Sequence, residues 1–446
     1  MSNFPADEMQ IDCIKFMLER PASGAFLDVG DGKTATTQSV LEILKSKDMF
    51  HGAIIITTLK ILDGEVWQNE DKKWDFGFTY QSLHGKDKDK NLKKKADIYI
   101  MNFDGLPWLL KNLKHLKATT LIIDESDKAK GFKTGRFKTF KKILHKFSRR
   151  YLLSATPNTQ SYMDLFSQIY ILDEGERLGQ YITAYRNKFF NPVGYMGYDY
   201  VLQEDGKERI HEAISDIIYR PDRERKRKPV LYNDIYIELP KAIRKQYDEL
   251  EREFITELDE GVITAVNAAV KRGKLKQFCN GRIYDENKKI IRIHDEKIWA
   301  VQDLVDELEG EPLLIGYEYK HDYHVLKQAF PNAPHIGSGT KDVKKIIKYW
   351  NKKKYEVLIG QISVLAHGNN MQEGGYNLCF YSHLDKYGDV YQFIGRLDRQ
   401  GQEEQVIVHR PIILNSVDGD VIAQQEDKDS SQKGFLNAMK KRIKRK

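Results

Sequence analysis

The chain has 446 residues and a net charge of +7, which is more polypeptide than one hydrophobic core usually organises, so two or three domains are expected. Hydrophobic residues make up 41% and charged residues 31%, and no apolar run approaches the length of a bilayer span, so a soluble protein is expected. The opening MSNFPADEMQ lacks the basic start and apolar stretch of a secretory signal, and Cys13, Cys279 and Cys379 form no CxxC pair, so a reduced, cytoplasmic setting without a zinc site is expected.

In chain order, the first third alternates short apolar runs with amphipathic stretches, the pattern of a parallel sheet with crossover helices. Strands are predicted from Ala25 to Val29, Ala53 to Thr57, Asp97 to Met101, Thr120 to Ile123 and Tyr151 to Ser154. Each run is continuously apolar, as when helices cover both sheet faces. A stretch rich in tyrosine, glycine and charge begins at Tyr170, with a hairpin expected between Tyr198 and Arg209 and the Asp205-Gly206 pair as its turn. Two long polar helices follow Leu239. Strand and helix alternation then returns, with strands expected from Pro312 to Tyr317, Glu356 to Gly360, Leu378 to Tyr381 and Val406 to Arg410. After Asp418 the chain becomes charged, and a helical or loosely ordered end is expected.

The positive charge is clustered, in Lys128 to Arg150, in Arg220 to Lys228 and from Lys440 onward. Such bands suit a polyanion, because each neutralised phosphate releases condensed counterions. Solvated helix faces and a charged tail would look the same.

Four segments carry chemistry. In LDVGDGKTATT, Gly30, Gly32, Lys33 and Thr34 lie between a strand and a helix, an arrangement that cradles phosphate. Glycines let backbone N–H groups approach, the helix N-terminus favours negative charge, Lys33 reaches terminal phosphates and the Thr34 hydroxyl can ligate Mg²⁺. An ordinary glycine turn at a helix start is the plainer reading. Leu27 occupies the position of the first glycine of the full GxxxxGK(S/T) pattern, and Asp31 sets a carboxylate beside the phosphates. In TLIIDESD an apolar strand delivers two carboxylates at its C-terminal end, where open α/β sheets bind ligands. Asp124 would hold Mg²⁺ and Glu125 would position or deprotonate a water; a solvated acidic turn is the alternative. Ser154, Ala155 and Thr156 follow the next strand, and can link the metal site to moving parts or merely cap a helix. In QFIGRLDRQGQ, Arg396 and Arg399 are three apart, so on a helix they share a face. Paired guanidiniums match phosphate, and an arginine acting on a phosphoryl transition state is worth about 10³ to 10⁵ in rate. A surface salt-bridge helix is the other possibility.

The order GKT, DESD, SAT and QFIGRLDRQGQ resembles superfamily 2 helicases, and the RQGQ ending is most similar to the Snf2 branch of double-stranded DNA translocases, in a compact phage-encoded form. The resemblance runs from about Gln10 to Arg410. It implies an α/β fold of two tandem RecA-like parallel-sheet domains with a small inserted wing or hairpin region, ATP and Mg²⁺ as ligands, and DNA as partner. By resemblance, Gln10 reads the adenine edge and Gln392 belongs to the nucleotide site. Thr58, Lys60 and Asn102 in the first domain, and His367, Gly368, Asn370 and Gln372 in the second, would face nucleic acid. Asp127 stands where many members carry histidine or glutamine.

The resulting division is residues 1–170 as an ATP-binding domain, 171–235 as linker and wing, 236–418 as the second helicase domain and 419–446 as a basic end. The segment from Tyr181 to Lys228 is read equally as a DNA-touching wing and as a packing insertion. The implied function is ATP hydrolysis driving movement on DNA, with branched DNA in replication or recombination as a substrate. A P-loop phosphotransferase or GTPase, or a DNA-binding protein with a degenerate nucleotide site, are the rival readings.

Overall fold

The computed structural model describes residues 2–129, 131–155, 162–193, 199–221, 228–259, 265–366, 370–399 and 401–426, with the side chains at 199, 255–259, 265–268 and 426 outside that description. The expectations at Thr156, His367 and Gly368, and most of the two later basic clusters, therefore fall outside the described residues. The chain divides into two compact units, Met1–Glu224 and Arg225–Lys446.

The first unit runs α1 (Glu8–Glu19), β1 (Ala22–Phe26), α2 (Lys33–Ser46), β2 (Ala53–Thr57), α3 (Leu59–Asp63), α4 (Val66–Trp74), β3 (Tyr80–Ser82), α5 (Lys88–Leu92), β4 (Ile98–Asn102), α6 (Leu106–Asn112) and β5 (Thr120–Asp124). It continues through α7 (Gly135–Ile143), β6 (Arg149–Ser154), α8 (Leu165–Asp173), α9 (Ile182–Phe189), β7 (Phe190–Val193), β8 (Asp199–Leu202), α10 (Gly206–Ile214) and β9 (Ile218–Tyr219). Seven strands form one sheet in the order β3-β4-β2-β5-β6-β1-β9, every neighbouring pair parallel.

The second unit runs β10 (Leu231–Ile237), α11 (Lys241–Asp259), α12 (Ala265–Cys279), β11 (Arg282–Tyr284), β12 (Ile290–Arg292), α13 (Glu296–Glu307), β13 (Leu313–Tyr317), α14 (Lys320–Ala329) and β14 (His335–Ile336). Then come α15 (Val343–Trp350), β15 (Val357–Gln361), α16 (Ile362–Leu365), β16 (Asn377–Phe380), α17 (Tyr387–Ile394), β17 (Ile407–Ile413) and α18 (Val417–Glu426). Its six-stranded sheet has the order β10-β17-β16-β13-β15-β14 and is also parallel throughout. The two α/β sheets are the tandem parallel-sheet architecture that the sequence implied.

Continuous apolar strands follow from two-sided burial. On β2, Ile54 and Ile56 join the cluster of Phe103, Leu121 and Ile123, whereas Ala53 and Ile55 join Ile100, Ile122 and Leu153 on the other face. Because successive side chains point to opposite faces, both parities must be apolar, and each buried isoleucine contributes roughly 1.5–3 kcal/mol. The second sheet repeats this, with Leu314, Leu358 and Leu378 on one face and Leu313, Ile315 and Val357 on the other.

Two local expectations are corrected. The first strand ends at Phe26 rather than Val29. Leu27 and Val29 are buried at 1% and 8% exposure, but they sit in the loop that leads to α2, so their apolar character reports packing rather than strand pairing. The Asp205-Gly206 pair is not a hairpin turn. It starts α10, and Gly206 is needed for close approach, since a Cβ there would lie 2.6 Å from the Phe189 carbonyl oxygen. The antiparallel pairing in this region is between β7 and β8, and their connection lies outside the described residues. Much of the aromatic content nearby fills the first core: Tyr185, Phe189 and Phe190 are buried, whereas Tyr181 is 70% exposed. Among the described residues no helix is long and apolar enough to cross a membrane.

Candidate functional site

The C-terminal edge of the first sheet gathers the chemistry-bearing residues of that unit. Sheet order places the ends of β4, β2, β5, β6 and β1 side by side, and with them Asn102, Thr58, Asp124, Ser154 and the loop 27–32. Ligands of open α/β sheets bind at this edge.

The loop is shaped by two left-handed glycines, Gly30 with φ of 84° and Gly32 with φ of 74°. A side chain at Gly32 would be strained by its backbone and would place Cβ 2.7 Å from Nε2 of Gln10. Gln10 is held there by its own helix start. The Asp7 carboxylate accepts the Gln10 backbone N–H at 2.9 Å, and Gln10 Oε1 accepts the Asp7 N–H at 2.9 Å, a reciprocal cap. The remaining donor, Gln10 Nε2, reaches the Asp31 carbonyl oxygen at 3.1 Å. Lys33 begins α2, and its Nζ donates to the carbonyl oxygens of Leu27 at 2.9 Å and Asp28 at 3.0 Å. Burial lowers the Lys33 pKa, while the carboxylates of Glu125, Asp124, Asp31 and Asp28 pull it back up. The result is a helix N-terminus and a lysine poised among carboxylates, the arrangement that anionic phosphates complement.

Asp124 ends β5 at 6% exposure. Its Oδ2 accepts two hydrogen bonds, from the Trp67 indole N–H at 3.0 Å and from the Thr57 hydroxyl at 3.3 Å. Burial raises the carboxyl's pKa, against the lowering effects of the Trp67 bond and of Lys33. Glu125 follows in the left-handed region, φ 57°, an uncommon conformation for a side chain of this size. That turn ends the strand and sets two consecutive carboxylates at its tip. Ser126 donates its hydroxyl to Gln168 at 2.8 Å, and the buried Asp127 pairs with Lys128 at 3.0 Å.

Thr58 caps α3 and Lys60 lies within it. Asn102 is 7% exposed, and its Oδ1 lies 3.2 Å from Nδ1 of His84. Ser154 is fully buried at the end of β6.

In the second unit, Arg396 and Arg399 do not lie on a helix, which corrects the expectation from their spacing. Helix α17 ends at Ile394, and Gly395 caps it through an N–H bond to the Tyr391 carbonyl at 3.0 Å. Successive turns carry the chain onward, with Arg396 N–H to Phe393 at 3.0 Å and Arg399 N–H to Leu397 at 3.0 Å. Arg396 is 7% exposed and its Nε donates to the Gln392 carbonyl at 3.0 Å, so the buried Gln392 holds the arginine by its backbone. Gln402 fastens this turn to the neighbouring loop: its Nε2 donates to the carbonyls of Gln372 at 2.9 Å and Gly375 at 3.0 Å, with Leu397 at 3.4 Å. Asn370 is exposed, and its carbonyl accepts from Asn351 at 3.0 Å.

Three positioning contacts had no counterpart in the sequence reading: Trp67 and Thr57 on Asp124, and Gln402 on the Gln372 loop. The first left a trace, since a tryptophan buried in a polar helix such as VWQNEDKKW needs an acceptor for its N–H. The residues present fit a nucleotide with a divalent cation. A Cβ would fill the Gly32 cradle, Lys33 faces two carboxylates, and Asp124 is a hard oxygen donor. Mg²⁺ is an ion that binds through one or two carboxylates plus phosphates.

The SNF2-related domain family matches residues 9–283. The protein p41 of Acyrthosiphon pisum secondary endosymbiont phage 1 is 30% identical over 465 residues, covering 99% of this chain and 100% of that protein. Helicase SWR1 of Yarrowia lipolytica (strain CLIB 122 / E 150) is 25% identical over 417 residues, 86% of this chain but 23% of that protein. Helicase domino of Drosophila melanogaster is 25% identical over 260 residues, 54% of this chain and 7% of that protein. The chain thus spans the whole of the phage relative and under a quarter of the two eukaryotic ones. Among solved structures, the Sulfolobus solfataricus SWI2/SNF2 ATPase core in complex with dsDNA is 20% identical with a TM-score of 0.46, covering 97% of this chain and 95% of that one. With the match extending over residues 9–283, from the helix that carries Gln10 through the whole first sheet, the chain belongs to the SNF2-related domain family.

Proposed function

We propose that the protein is an ATP-dependent DNA translocase, hydrolysing ATP to move along duplex DNA. Membership of the SNF2-related family supports this, as do the names of the yeast and fly relatives, both called helicases. The observation that carries it is the common edge of the first sheet, where the loop of Lys33 and the carboxylates of Asp124 and Glu125 adjoin Thr58 and Asn102.

In this reading the loop 27–33 takes the phosphates, and Lys33 exchanges its two carbonyl partners for phosphate oxygens. Glu125 accepts a proton from the attacking water as the water oxygen bonds to the terminal phosphorus and the bond to ADP breaks, releasing ADP and phosphate. Mg²⁺, held by Asp124 and Thr34, would neutralise phosphate charge there. Arg396 and Arg399 of the second unit stabilise the charge on the transferring phosphoryl group. Gln10 and Gln392 hold the nucleotide site. Thr58, Lys60 and Asn102 of the first unit, and His367, Asn370 and Gln372 of the second, grip DNA. Cycles of ATP binding and hydrolysis change the grip on DNA in turn, and this moves the DNA. Branched DNA is the proposed substrate in replication or recombination.

The test is ATP hydrolysis by the full chain with single-stranded, duplex and four-way-junction DNA at fixed salt. Stimulation by duplex is expected, with the junction stronger still. Nucleotide binding without phosphate release under any condition would favour a DNA-binding protein with a degenerate site, the reading for which Leu27 and Asp31 speak.

A further inference from the structure

Trp67 and Thr57 donate to one oxygen of Asp124 from the two ends of a single stretch of chain. Thr57 is the last residue of β2 and Trp67 the second of α4; between them run α3 and a left-handed turn at Glu65, φ 51°. The stretch is therefore a closed loop whose ends meet on the carboxylate and whose middle, at Leu59 and Lys60, reaches the surface, Leu59 being 43% exposed. Trp67 itself is fully buried, and its carbonyl accepts Gln38 Nε2 at 2.8 Å from α2, the helix that begins at Lys33. Gln38 Nε2 also lies 2.9 Å from the Tyr80 hydroxyl, which donates to Asp71 of α4 at 3.2 Å. Helix α4 is thus tied at Trp67 and Asp71 to the helix that begins at Lys33 and to β3, and the segment from Thr58 to Glu65 connects it to β2. Thr58 Oγ1 is buried without a hydrogen-bond partner, although Thr58 occupies the helix-cap position where such a hydroxyl usually accepts one.

We infer that Trp67 is a positioning residue for Asp124, and that the stretch 57–67 relays engagement of a phosphodiester at Lys60 to that carboxylate. The relay rests on the translocase reading; the positioning role does not. A displacement of α3 is transmitted to Asp124 by the Thr57 hydroxyl and the Trp67 indole, the two side chains that flank it and, among the described residues, donate to that carboxylate. Holding Oδ2 from both ends fixes the rotation of the carboxylate, and with it the direction of the other oxygen. An indole that served burial alone would leave cation affinity and DNA stimulation unaffected when its N–H is removed.

The test is Trp67→Phe in the full chain, which keeps a ring and deletes the donor. Thr57→Val, close to isosteric, is the second variant should the first not fold. Mn²⁺ binding in the presence of a non-hydrolysable ATP analogue, followed by electron paramagnetic resonance, is expected to weaken about tenfold, the usual effect of losing an outer-shell partner of a metal ligand. The ratio of duplex-stimulated to basal hydrolysis is expected to fall by a similar factor. Unchanged Mn²⁺ affinity in folded variants overturns the positioning role, and weakened Mn²⁺ binding with an unchanged stimulation ratio overturns the relay. A wild-type chain that DNA does not stimulate overturns the translocase reading and the relay with it, while the Mn²⁺ titration still decides the role of Trp67.

Discussion

In the first unit the charged groups of the site lie against one another. Lys33 sits in the field of Glu125 and Asp124, burial pushes the lysine's pKa down and that of Asp124 up, and neutral donors such as Trp67 steady the carboxylate. In the second unit the ties run to backbone: Arg396 Nε donates to the Gln392 carbonyl, and Gln402 fastens the turn to the carbonyls of Gln372 and Gly375. The difference teaches that the cluster in the first unit balances burial against charge, whereas the turn in the second unit is placed through backbone carbonyls.

The largest effect expected tests both halves at once. Lys33→Ala and Arg399→Ala should each lower DNA-stimulated hydrolysis about 10³-fold or more, with DNA affinity changed little. Lys33→Ala should also weaken nucleotide binding, while Arg399→Ala should leave it nearly intact. Stopped-flow binding of a fluorescent ATP analogue separates the two, and equal losses would erase the contrast.

Acid should divide the units next. Burial lowers His294, His383 and His409 of the second unit to about 4. The unfolded chain takes up these protons near pH 6.5, before the folded one does, so stability is lost as pH falls from about 6.5 toward 4, on the order of 2 to 3 kcal/mol for each of the deeply buried His294 and His383. In the first unit, burial raises Asp124 and Asp71, and protonation of those carboxyls works the other way. Pulse proteolysis with peptide mapping across this range should show the second unit opening first; simultaneous opening would count against the assignment.

Gln402→Ala, which removes the tie to the Gln372 loop, should lower kcat with duplex DNA at little cost in melting temperature. An unchanged kcat would mean that the turn holds its arginines without help. The smallest effect is expected for Asp31→Leu. Its carboxylate is one of four that act on Lys33, so ATP affinity should hold or improve, and a clearly raised KM would give Asp31 a positive role.

Local pattern carried much of this molecule. The AIIIT strand was legible to the residue, because burial on both faces demands apolar side chains at both parities. GKT and DESD were legible because each combines a strand end with a change of residue type, and the structure sets both on one sheet edge. Where several forces act on the same residues, pattern failed. Leu27 and Val29 look like strand because a buried loop needs the same side chains, and Gly206 looks like a turn because sequence does not show the Phe189 carbonyl that crowds it. A spacing of three placed Arg396 and Arg399 on one helix face, but Gly395 closes the helix before they are reached.

What sequence alone determined, then, is the set of elements and the identity of the charged residues at their ends, since both depend on neighbours within a few positions. Tertiary structure decided which ends adjoin. Trp67 meets Asp124 because β2 lies beside β5 in the sheet although two strands separate them in the chain, while Gln10 meets Gly32 across β1 and Gln402 meets the Gln372 loop across β16, contacts that packing of the whole core selects.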